Sequence, residues 1–172
     1  MNWRIGSQYR KRPRQANKKA FHQIVCQGPP PGLVAFDGDL AVGWCQLTPR
    51  SDLPWLNRTW RLRPVDDTPV WSISCFYVRI GYRKRGITSV LIQAAIDAAR
   101  ARGVAVLEAY PLDADLTPSA SWTGFASAFL RFGFKIVARR VPPRPIMRLH
   151  LGPIPQKLPR RLRSSGVSLN FF

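Results

Sequence analysis

The apolar residues of this chain fall into short runs with strand periodicity and longer stretches with helical periodicity. Residues 33–36 and 40–47 are apolar runs separated by Asp37-Gly38-Asp39, and an Asp-Gly step suits the positive dihedral angles of a tight turn. These runs predict a β-hairpin. Before them, residues 14–27 place apolar side chains near one helical face, and the glycine–proline run 28–32 predicts the end of that helix.

The middle of the chain predicts a strand–helix–strand unit. Residues 70–78 are rich in β-branched and aromatic side chains, which is typical of a strand. From Gly86 to about residue 102 the apolar positions recur with helical spacing, and Gly103 suits a helix C-terminus. Residues 104–110 form a second apolar strand. Two strands joined by a helix should be parallel, with a right-handed crossover.

The remaining segments complete one α+β domain over residues 1–152. We expect an irregular excursion over residues 48–69 and a loop over residues 111–121. A short helix should span residues 122–132, and two final strands should span residues 134–141 and 146–151. Residues 1–13 are expected to be loosely structured. The proline-rich and basic residues 153–172 predict a mobile tail outside the domain.

Positive charge dominates the composition. The chain of 172 residues has 27 Lys and Arg against 9 Asp and Glu, a formal net charge of +18. This balance favours polyanionic partners or a phosphorylated ligand. Residues 4–19 contain basic side chains and no acidic one, and the end of the chain repeats the pattern with Lys157, Arg160, Arg161 and Arg163. Polyanion contact through these basic termini is therefore expected.

The cysteines and the apolar runs exclude several other classes of protein. The three cysteines are far apart and form no CxxC pair, so no metal site is expected. The apolar runs are too short to cross a bilayer, and the first residues lack the apolar stretch of a signal peptide. A soluble cytoplasmic protein is the default expectation.

A basic, glycine-containing turn joins the first strand of the central unit to its helix. At a helix start several backbone amides lack an intrahelical partner, and the helix dipole adds partial positive charge. These features can hold a pyrophosphate. The alternative is an ordinary turn with a solvated basic run. The predicted ligand-binding residues are Phe76, Tyr77, Val78, Arg83, Lys84, Arg85, Gly86, Ile87, Thr88 and Ser89.

Two motifs give the chain a resemblance to the GNAT acetyltransferase superfamily. Arg83-Lys-Arg-Gly86-Ile-Thr88 resembles the acyl-CoA signature Gln/Arg-x-x-Gly-x-Gly/Ala, with Thr88 in place of the final small residue. Residues 128–134 resemble the helix that ends in a Gly-Phe step. The resemblance implies a three-layer α+β fold with a mixed, mostly antiparallel central sheet. It also implies that the main chain of residues 74–78 pairs with the pantetheine arm and the acyl carbonyl.

The resemblance implies transfer of an acetyl group from acetyl-CoA to an amine, whose identity the sequence does not reveal. Two departures from the family pattern matter. Phe129 stands where many members carry a tyrosine that protonates the departing thiolate. The family's first strand and first helix are also missing or shortened, because only about 27 residues precede Gly28. The chain could be a truncated form, or its basic N-terminal segment could replace these elements.

Few residues could transfer a proton in such a reaction. Glu108 is the only acidic residue within a predicted core strand, and alternation places Tyr110 on the same face. Glu108 is the candidate general base and Tyr110 the candidate acid for the thiolate. The alternative is that Glu108 pairs with an arginine and Tyr110 is a core aromatic. Four loop carboxylates could bind a cationic acceptor, or could simply be solvated: Asp66, Asp67, Asp113 and Asp115.

Two other functions remain open beside the amine N-acetyltransferase. The chain could be an acyl-CoA-binding domain that has lost its chemistry, which Phe129 and the short N-terminal region favour. It could also be a nucleic-acid-binding protein on the ground of charge, although no nucleic-acid-binding motif supports this. A homodimer is a further open alternative.

Overall fold

A computed structural model describes residues 2–114, 122–152 and 167–171 of the chain. The described strands form one seven-stranded sheet in the order β5-β6-β4-β3-β2-β1-β7. The strands are β1 Gly32–Asp37, β2 Leu40–Pro49, β3 Trp71–Val78, β4 Val106–Ala109, β5 Lys135–Ala138, β6 Ile146–His150 and β7 Val167–Phe171. The helices are α1 Asn2–Ile5, α2 Gln8–Lys11, α3 Arg14–Gln27, α4 Pro54–Arg58, α5 Ile87–Ala101 and α6 Ala126–Arg131.

The sheet is antiparallel apart from the pair β3 and β4. That parallel pairing extends from Trp71 opposite Leu107 to Ile73 opposite Ala109. Helix α5 makes the crossover between the two strands, as the sequence predicts. The predicted α+β fold with a mostly antiparallel sheet is therefore confirmed.

Strand β3 contains a bulge just beyond its pairing with β4. Cys45 of β2 lies opposite Phe76, whereas Leu47, two residues later, lies opposite Ile73. Three steps along β3 thus match two steps along β2, and a bulge of this kind bends and twists the strand. The bend occurs where the sequence predicts ligand contacts.

The two faces of the sheet are covered by different layers. On one face the apolar side of α5 packs on the sheet together with the aromatic residues Phe129 and Phe134. On the other face a smaller cluster forms around Leu53, Leu56, Leu62, Tyr110 and Ile146. Much of this second cluster comes from the proline-containing excursion, which the structure resolves into α4 and two single 3-10 turns.

The N-terminal residues are more ordered than the sequence predicts. Residues 2–11 form α1 and α2, and α1 packs against α4. Gly6 has φ +58° and lies so close to Trp55 that an added Cβ would be 2.2 Å from its ring. This close packing orders a segment that the composition predicts to be loosely structured.

The C-terminal residues also differ from the prediction. Residues 167–171 form β7, which pairs antiparallel with β1 from Leu33 opposite Phe171 to Asp37 opposite Val167. The outer edge of β1 is thus covered by chain from the far end of the sequence. The rest of the predicted tail, residues 153–166 and 172, lies outside the described residues, as do residues 115–121 of the predicted loop.

The predicted helix over residues 122–132 begins late. Gly124 has φ +80°, and Phe125 is extended, with φ −103° and ψ 143°. These dihedral angles delay α6 until Ala126, and residues 122–125 form a turn followed by an isolated bridge between Phe125 and Leu112. Among the described residues no helix is long and apolar enough to cross a membrane.

Candidate active site

Strands β3 and β4 separate beyond Ile73 and Ala109, and the chain at residues 122–126 lies in the gap. The backbone N–H of Phe76 donates to the carbonyl oxygen of Trp122 over 2.6 Å. On the other side, Leu112 N–H donates to Gly124 O and Ala126 N–H donates to Leu112 O, each over 2.8 Å. The segment therefore pairs with β3 and with the chain that follows β4.

Trp3 reaches the same gap from the N-terminal helices. Its indole Nε1 donates to the carbonyl oxygen of Ser74 over 3.2 Å. Its ring also packs on that of Trp122, with centroids 5.5 Å apart. Two backbone groups of β3 that β4 does not satisfy, Ser74 C=O and Phe76 N–H, are thus bonded to two tryptophans.

The basic turn follows the C-terminal end of β3, beyond the gap. Gly86 precedes the first residue of α5 with φ +80°, and an added Cβ there would have no atom within 4 Å. Lys84 also has a positive φ of 62°. No side chain caps the helix, so no capping side chain occupies the amides of its first turn. The turn can accept an anion at these amides.

The basic side chains of the turn are exposed, and two of them have local contacts. Arg83 Nε donates to the carbonyl oxygen of Val78 over 3.2 Å. The Arg85 guanidinium lies 5.2 Å from the ring centroid of Tyr82. Tyr82 donates its hydroxyl to Asp37 over 2.9 Å, and this hydrogen bond raises the pKa of Tyr82. These contacts attach the turn to the end of β3 and to the hairpin β1–β2.

Glu108 lies at the centre of a buried polar network on the opposite face of the sheet from α5. Its Oε1 pairs with Arg50 Nη1, and its Oε2 accepts from Arg148 Nε over 2.7 Å. Arg148 Nη1 also bonds Asp66 over 2.7 Å. Glu108 is 0% exposed. Two guanidinium groups are thereby balanced by two carboxylates.

Tyr110 belongs to the same network. Its hydroxyl donates to Glu108 Oε1 over 2.8 Å and lies 2.9 Å from Ser72 Oγ. Arg50 Nη1 donates to it over 3.0 Å. Burial, and then the neighbouring charge of Glu108, raise the pKa of Tyr110 well above its usual range. The hydroxyl therefore holds its proton at neutral pH.

Comparison with known proteins settles the family. The model of the Acetyltransferase (GNAT) family matches residues 1–121. The chain belongs to this family. A search of curated proteins gave no match. The GNAT chain is nevertheless similar to several solved structures, and these similarities support the fold.

Three solved structures illustrate the GNAT fold of the chain. PH1933 from Pyrococcus horikoshii OT3 is 19% identical, with a TM-score of 0.52 and coverage of 84% of this chain and 78% of that one. yncA from Salmonella typhimurium, solved with acetyl-CoA, is 20% identical, with a TM-score of 0.51 and coverage of 81% and 75%. A protein from Staphylococcus aureus Mu50 described as an acetyltransferase is 19% identical, with a TM-score of 0.51 and coverage of 77% and 79%.

The predicted CoA-binding residues of this GNAT chain lie along β3 and around the helix start, but they differ in exposure. Tyr77 is 58% exposed, whereas Phe76 is 7% exposed and Ile87 is 6% exposed. Phe76 and Ile87 therefore contribute side chains to the core and can offer a ligand mainly their backbone. Val78, Thr88 and Ser89 are half-buried, and Arg83, Lys84, Arg85 and Gly86 are exposed.

The catalytic assignments to Glu108 and Tyr110 stay predictions, and the geometry argues against them. Both oxygens of Glu108 are bonded to arginines, so neither is directed at an open cavity. Tyr110 is 0% exposed, and its raised pKa makes it a weak acid for a thiolate. The ion-pair alternative therefore describes the observed contacts better. Neither Arg50 nor Arg148 was identified from the sequence, because they lie 58 and 40 residues from Glu108.

The loop carboxylates considered for a cationic acceptor are largely committed to arginines. Asp66 pairs with Arg148, and this hydrogen bond holds its pKa well below the usual range. Asp113 pairs with Arg139 over 2.5 Å. Asp67 is exposed, and Asp115 lies outside the described residues. Among the described members of this set, two of three carboxylates are thus neutralised by an adjacent guanidinium.

Phe129, at the position of the family's tyrosine, is a core residue. Its ring is 0% exposed and packs against Phe76 and Phe134, with centroids 6.1 and 5.1 Å away. Gly124 approaches it so closely that an added Cβ would lie 3.0 Å from the ring. Phe129 therefore packs beside the segment 122–125 and against Phe76 of β3, and it has no proton to donate.

Proposed function

We propose that this GNAT protein binds acetyl-CoA and transfers its acetyl group to an amine. The observation that carries the proposal is the turn before α5. The first amides of the helix have no side-chain cap, and they follow a glycine with φ +80° at which an added Cβ would meet no atom within 4 Å. The turn fits a pyrophosphate because unpaired amides, the helix dipole and three exposed basic side chains act together.

The thioester would lie along β3, on the side where β4 diverges. There Phe76 offers a backbone N–H that could polarise an acyl carbonyl. In the structure this N–H donates to Trp122 O. Binding of the acyl group at Phe76 therefore requires the carbonyl of Trp122 to move away. Binding of the pyrophosphate at the Gly86 turn requires no such movement.

In the reaction, the neutral amine attacks the acyl carbon, the carbon–sulfur bond breaks, the nitrogen loses a proton to water as the amide forms, and the thiolate takes up a proton. The described residues supply positioning and the Phe76 amide rather than a dedicated acid, because Tyr110 is buried in the network and Phe129 has no hydroxyl. We propose that water delivers the proton to the thiolate. Positioning alone can account for a large part of such an acceleration.

A second candidate is an acyl-CoA-binding protein without turnover. The specific observation in its favour is that the Phe76 N–H is already bonded to Trp122. The two candidates share the donor site and differ in whether free thiol is released from acetyl-CoA in the presence of an amine.

The donor site is tested by Gly86→Glu. The new carboxylate would repel the pyrophosphate. The thermal stabilisation expected for wild-type protein in about 1–5 mM acetyl-CoA, which suffices for a weak site, should therefore be lost. Gly103→Glu is the matched control. Gly103 also has a positive φ, 68°, and no atom within 4 Å of an added Cβ, but it follows the opposite end of α5.

We expect Gly103→Glu to retain the acetyl-CoA response although it carries the same backbone strain. Equal responses in the two variants would show that acetyl-CoA does not bind at the turn. An absence of stabilisation in wild-type protein would reject acetyl-CoA binding and with it the transferase.

A further inference from the structure

Four buried side-chain atoms among the described residues have no hydrogen-bond partner. They are Ser74 Oγ, Gln46 Nε2, Arg4 Nε and Asn17 Oδ1. Ser74 is 0% exposed and Gln46 is 2% exposed, so neither side chain reaches bulk solvent. Buried polar groups are paired in the great majority of cases, because an unpaired group loses its hydrogen bonds to water without replacement. Several unpaired groups in one protein therefore need a specific explanation.

Gln46 lies beside Ser74, opposite the bulge of β3. The two neighbours of Gln46 in β2 pair with Ile73 and Phe76, so the bulge residues 74 and 75 both stand opposite Gln46. Adjacent strands are about 4.8 Å apart. The side chains of Ser74 and Gln46 therefore start from neighbouring positions on two paired strands.

Both side chains point away from α5. Gln46 lies between Cys45 and Leu47, which pack in the cluster under α5, so strand alternation turns Gln46 to the opposite face. Ser74 follows Ile73, which packs in the same cluster, and is turned to the opposite face in the same way. The two unpaired groups thus share one face of the sheet.

The N-terminal helices cover this face. Trp3 of α1 donates from Nε1 to the carbonyl oxygen of Ser74 over 3.2 Å. In α3, the ring of Phe21 lies 6.0 Å from that of Trp44, which alternation places on the same face as Gln46. The other two unpaired atoms belong to these same helices: Arg4 Nε in α1 and Asn17 Oδ1 in α3. Unpaired groups therefore occur both on the sheet and on the helices that cover it.

The chemistry of the two sheet residues defines what a ligand must offer. Nε2 of Gln46 can only donate, whereas the Ser74 hydroxyl can donate or accept. The ion pairs of this face are already balanced, because Arg4 lies 3.8 Å from Asp52 and Glu108 pairs with two arginines. Burial of a further charge without a partner is costly. An uncharged oxygen therefore suits Gln46 better than a carboxylate does.

These residues also lie within reach of the proposed thioester. Ser74 precedes Phe76 by two residues, which is about 7 Å along a strand. The backbone N–H of Phe76 is the group proposed to polarise the acyl carbonyl. A small molecule bound at Gln46 and Ser74 can thus hold an amine near the acyl carbon, and such positioning accelerates the reaction.

We infer that Ser74 Oγ and Gln46 Nε2 bind the acceptor, an amine that carries an uncharged oxygen close to its nitrogen. The inference rests on the proposed function, which locates the acyl group. Gln46 donates to the oxygen, and the Ser74 hydroxyl accepts from the neutral amine. Helix α1 covers the site and lifts for the acceptor to enter. It has only four residues, and so short a helix has little stability of its own.

The first measurement separates a binding site from a structural contact. Ser74→Ala removes an unpaired buried hydroxyl, so the melting temperature of the free protein should rise by about 2–4 °C. Ser72→Ala is the matched control. Ser72 is a buried serine of the same strand, but its Oγ lies 2.9 Å from the hydroxyl of Tyr110. Loss of this partnered hydroxyl should lower the melting temperature.

The second measurement uses three amines that share one heavy-atom skeleton. Glycinamide carries an uncharged oxygen, isobutylamine carries methyl groups in place of its polar atoms, and glycine carries a carboxylate. Calorimetry measures their binding at one pH without acetyl-CoA. Gln46→Met should lower the ratio of the glycinamide and isobutylamine binding constants at least about fivefold, as expected for one hydrogen bond. The ionisation of each amine is the same with every variant, so the change in this ratio reports the contact.

Ser74→Ala should weaken the binding of glycinamide at least about fivefold, whereas Ser72→Ala should leave it unchanged. A protein that becomes more stable while it binds the amine less tightly is the result expected of a binding residue. A melting temperature that Ser74→Ala leaves unchanged or lowers would show that the hydroxyl already has a partner, such as an ordered water only, and would overturn the inference.

Two further results would overturn it. One is absent or equal binding of glycinamide in wild-type protein, Ser74→Ala and Gln46→Met. The other is tighter binding of glycine than of glycinamide. Failure of acetyl-CoA to stabilise the protein would instead reject the proposed function, because both measurements are made without acetyl-CoA.

Discussion

Arg50 shows how a single side chain organises the buried network. Its Nε donates to Asn57 Oδ1 over 2.8 Å, its Nη2 bonds the carbonyl of Leu62, and its Nη1 contacts Glu108 and Tyr110. It thereby joins the excursion after β2 to the centre of the sheet. Such a network is stable only while every member keeps its partners.

The first prediction concerns Glu108. Glu108→Gln leaves Arg50 and Arg148 buried without their shared carboxylate, so we expect the free energy of unfolding to fall by about 3–5 kcal/mol. Denaturation in urea measures this change. Asp97→Asn, which removes a carboxylate from the exposed pair with Arg100 on α5, is the control, with an expected change within about 0.5 kcal/mol.

The same variant separates the structural role of Glu108 from the catalytic one. A general base would give a rate of acyl transfer lower by about 10²–10⁴ in a protein of unchanged stability. A structural residue gives a less stable protein whose folded fraction retains most of its rate. Unchanged stability would therefore contradict the ion-pair interpretation.

A second prediction concerns the thiols. Cys26 is exposed, whereas burial raises the pKa of Cys45 from 9.0 to about 12 and that of Cys75 from 9.0 to about 11. Because the thiolate is the reactive form, a thiol reagent at pH 8 should modify Cys26 rapidly in native protein and the other two only slowly. All three should react in denaturant, and Cys26→Ser should abolish the rapid phase. Rapid modification of all three in native protein would contradict the burial.

The sign of the pH dependence follows from these thiols. Between pH 9 and about 12 the unfolded chain loses thiol protons that the folded chain retains. The folded state binds more protons in this window, so the free energy of unfolding should decrease as pH rises through it. Cys45→Ala would remove part of this slope.

At the scale of secondary structure, β7 gives the third prediction. Deletion of residues 167–172 exposes the backbone edge of β1, which is otherwise paired along five residues. We expect a loss of about 1–3 kcal/mol, because each ladder bond contributes about 1 kcal/mol net of ordering entropy. Thermal unfolding measures the loss.

The matched control for β7 keeps the strand and changes only charge. Replacement of Arg160, Arg161 and Arg163 by glutamine should leave the melting temperature nearly unchanged. If the deletion and the control behave alike, β7 contributes nothing to stability and the whole segment is a tail, as its composition predicts.

Elements with a strong local pattern were predictable from the sequence. The hairpin β1–β2, strand β3 and helix α5 each follow from periodicity and from turn residues such as Asp37-Gly38 and Gly103. The position of the basic turn between β3 and α5 follows from the same reasoning. Local chemistry suffices there because each element is defined by residues adjacent in the chain.

Features that depend on distant contacts were not predictable. The pairing of β7 with β1 joins opposite ends of the chain, and the composition of residues 153–172 indicates no strand. The helix expected from Trp122 begins at Ala126 because Trp122 O instead accepts from Phe76. The partners of Glu108 come from β6 and from the turn after β2. Tertiary contacts outweigh local propensity at each of these places.

Charge sets the behaviour of the whole molecule. A net charge of +18 destabilises a compact chain by self-repulsion, which salt screens. The fourth prediction is that the melting temperature rises as NaCl increases from 20 to 500 mM, concentrations at which the screening length falls from roughly 20 Å to about 4 Å. Calorimetry measures the increase.

A charge-reduced variant tests the origin of this salt effect. Replacement of Arg10, Arg12, Lys18 and Lys19 by glutamine removes exposed charge from α2, α3 and the connection between them. We expect the variant to show a smaller increase with salt and weaker adsorption to heparin. A salt response equal to that of wild-type protein would assign the effect to something other than repulsion among these residues.

If the acyl group binds at Phe76 as proposed, the hydrogen bond from Phe76 to Trp122 makes the chain a competitor of its own acyl donor. A tethered carbonyl is present at a fixed high local concentration, so the apparent dissociation constant of a ligand that takes the Phe76 N–H equals the intrinsic constant divided by the fraction of time the N–H is free.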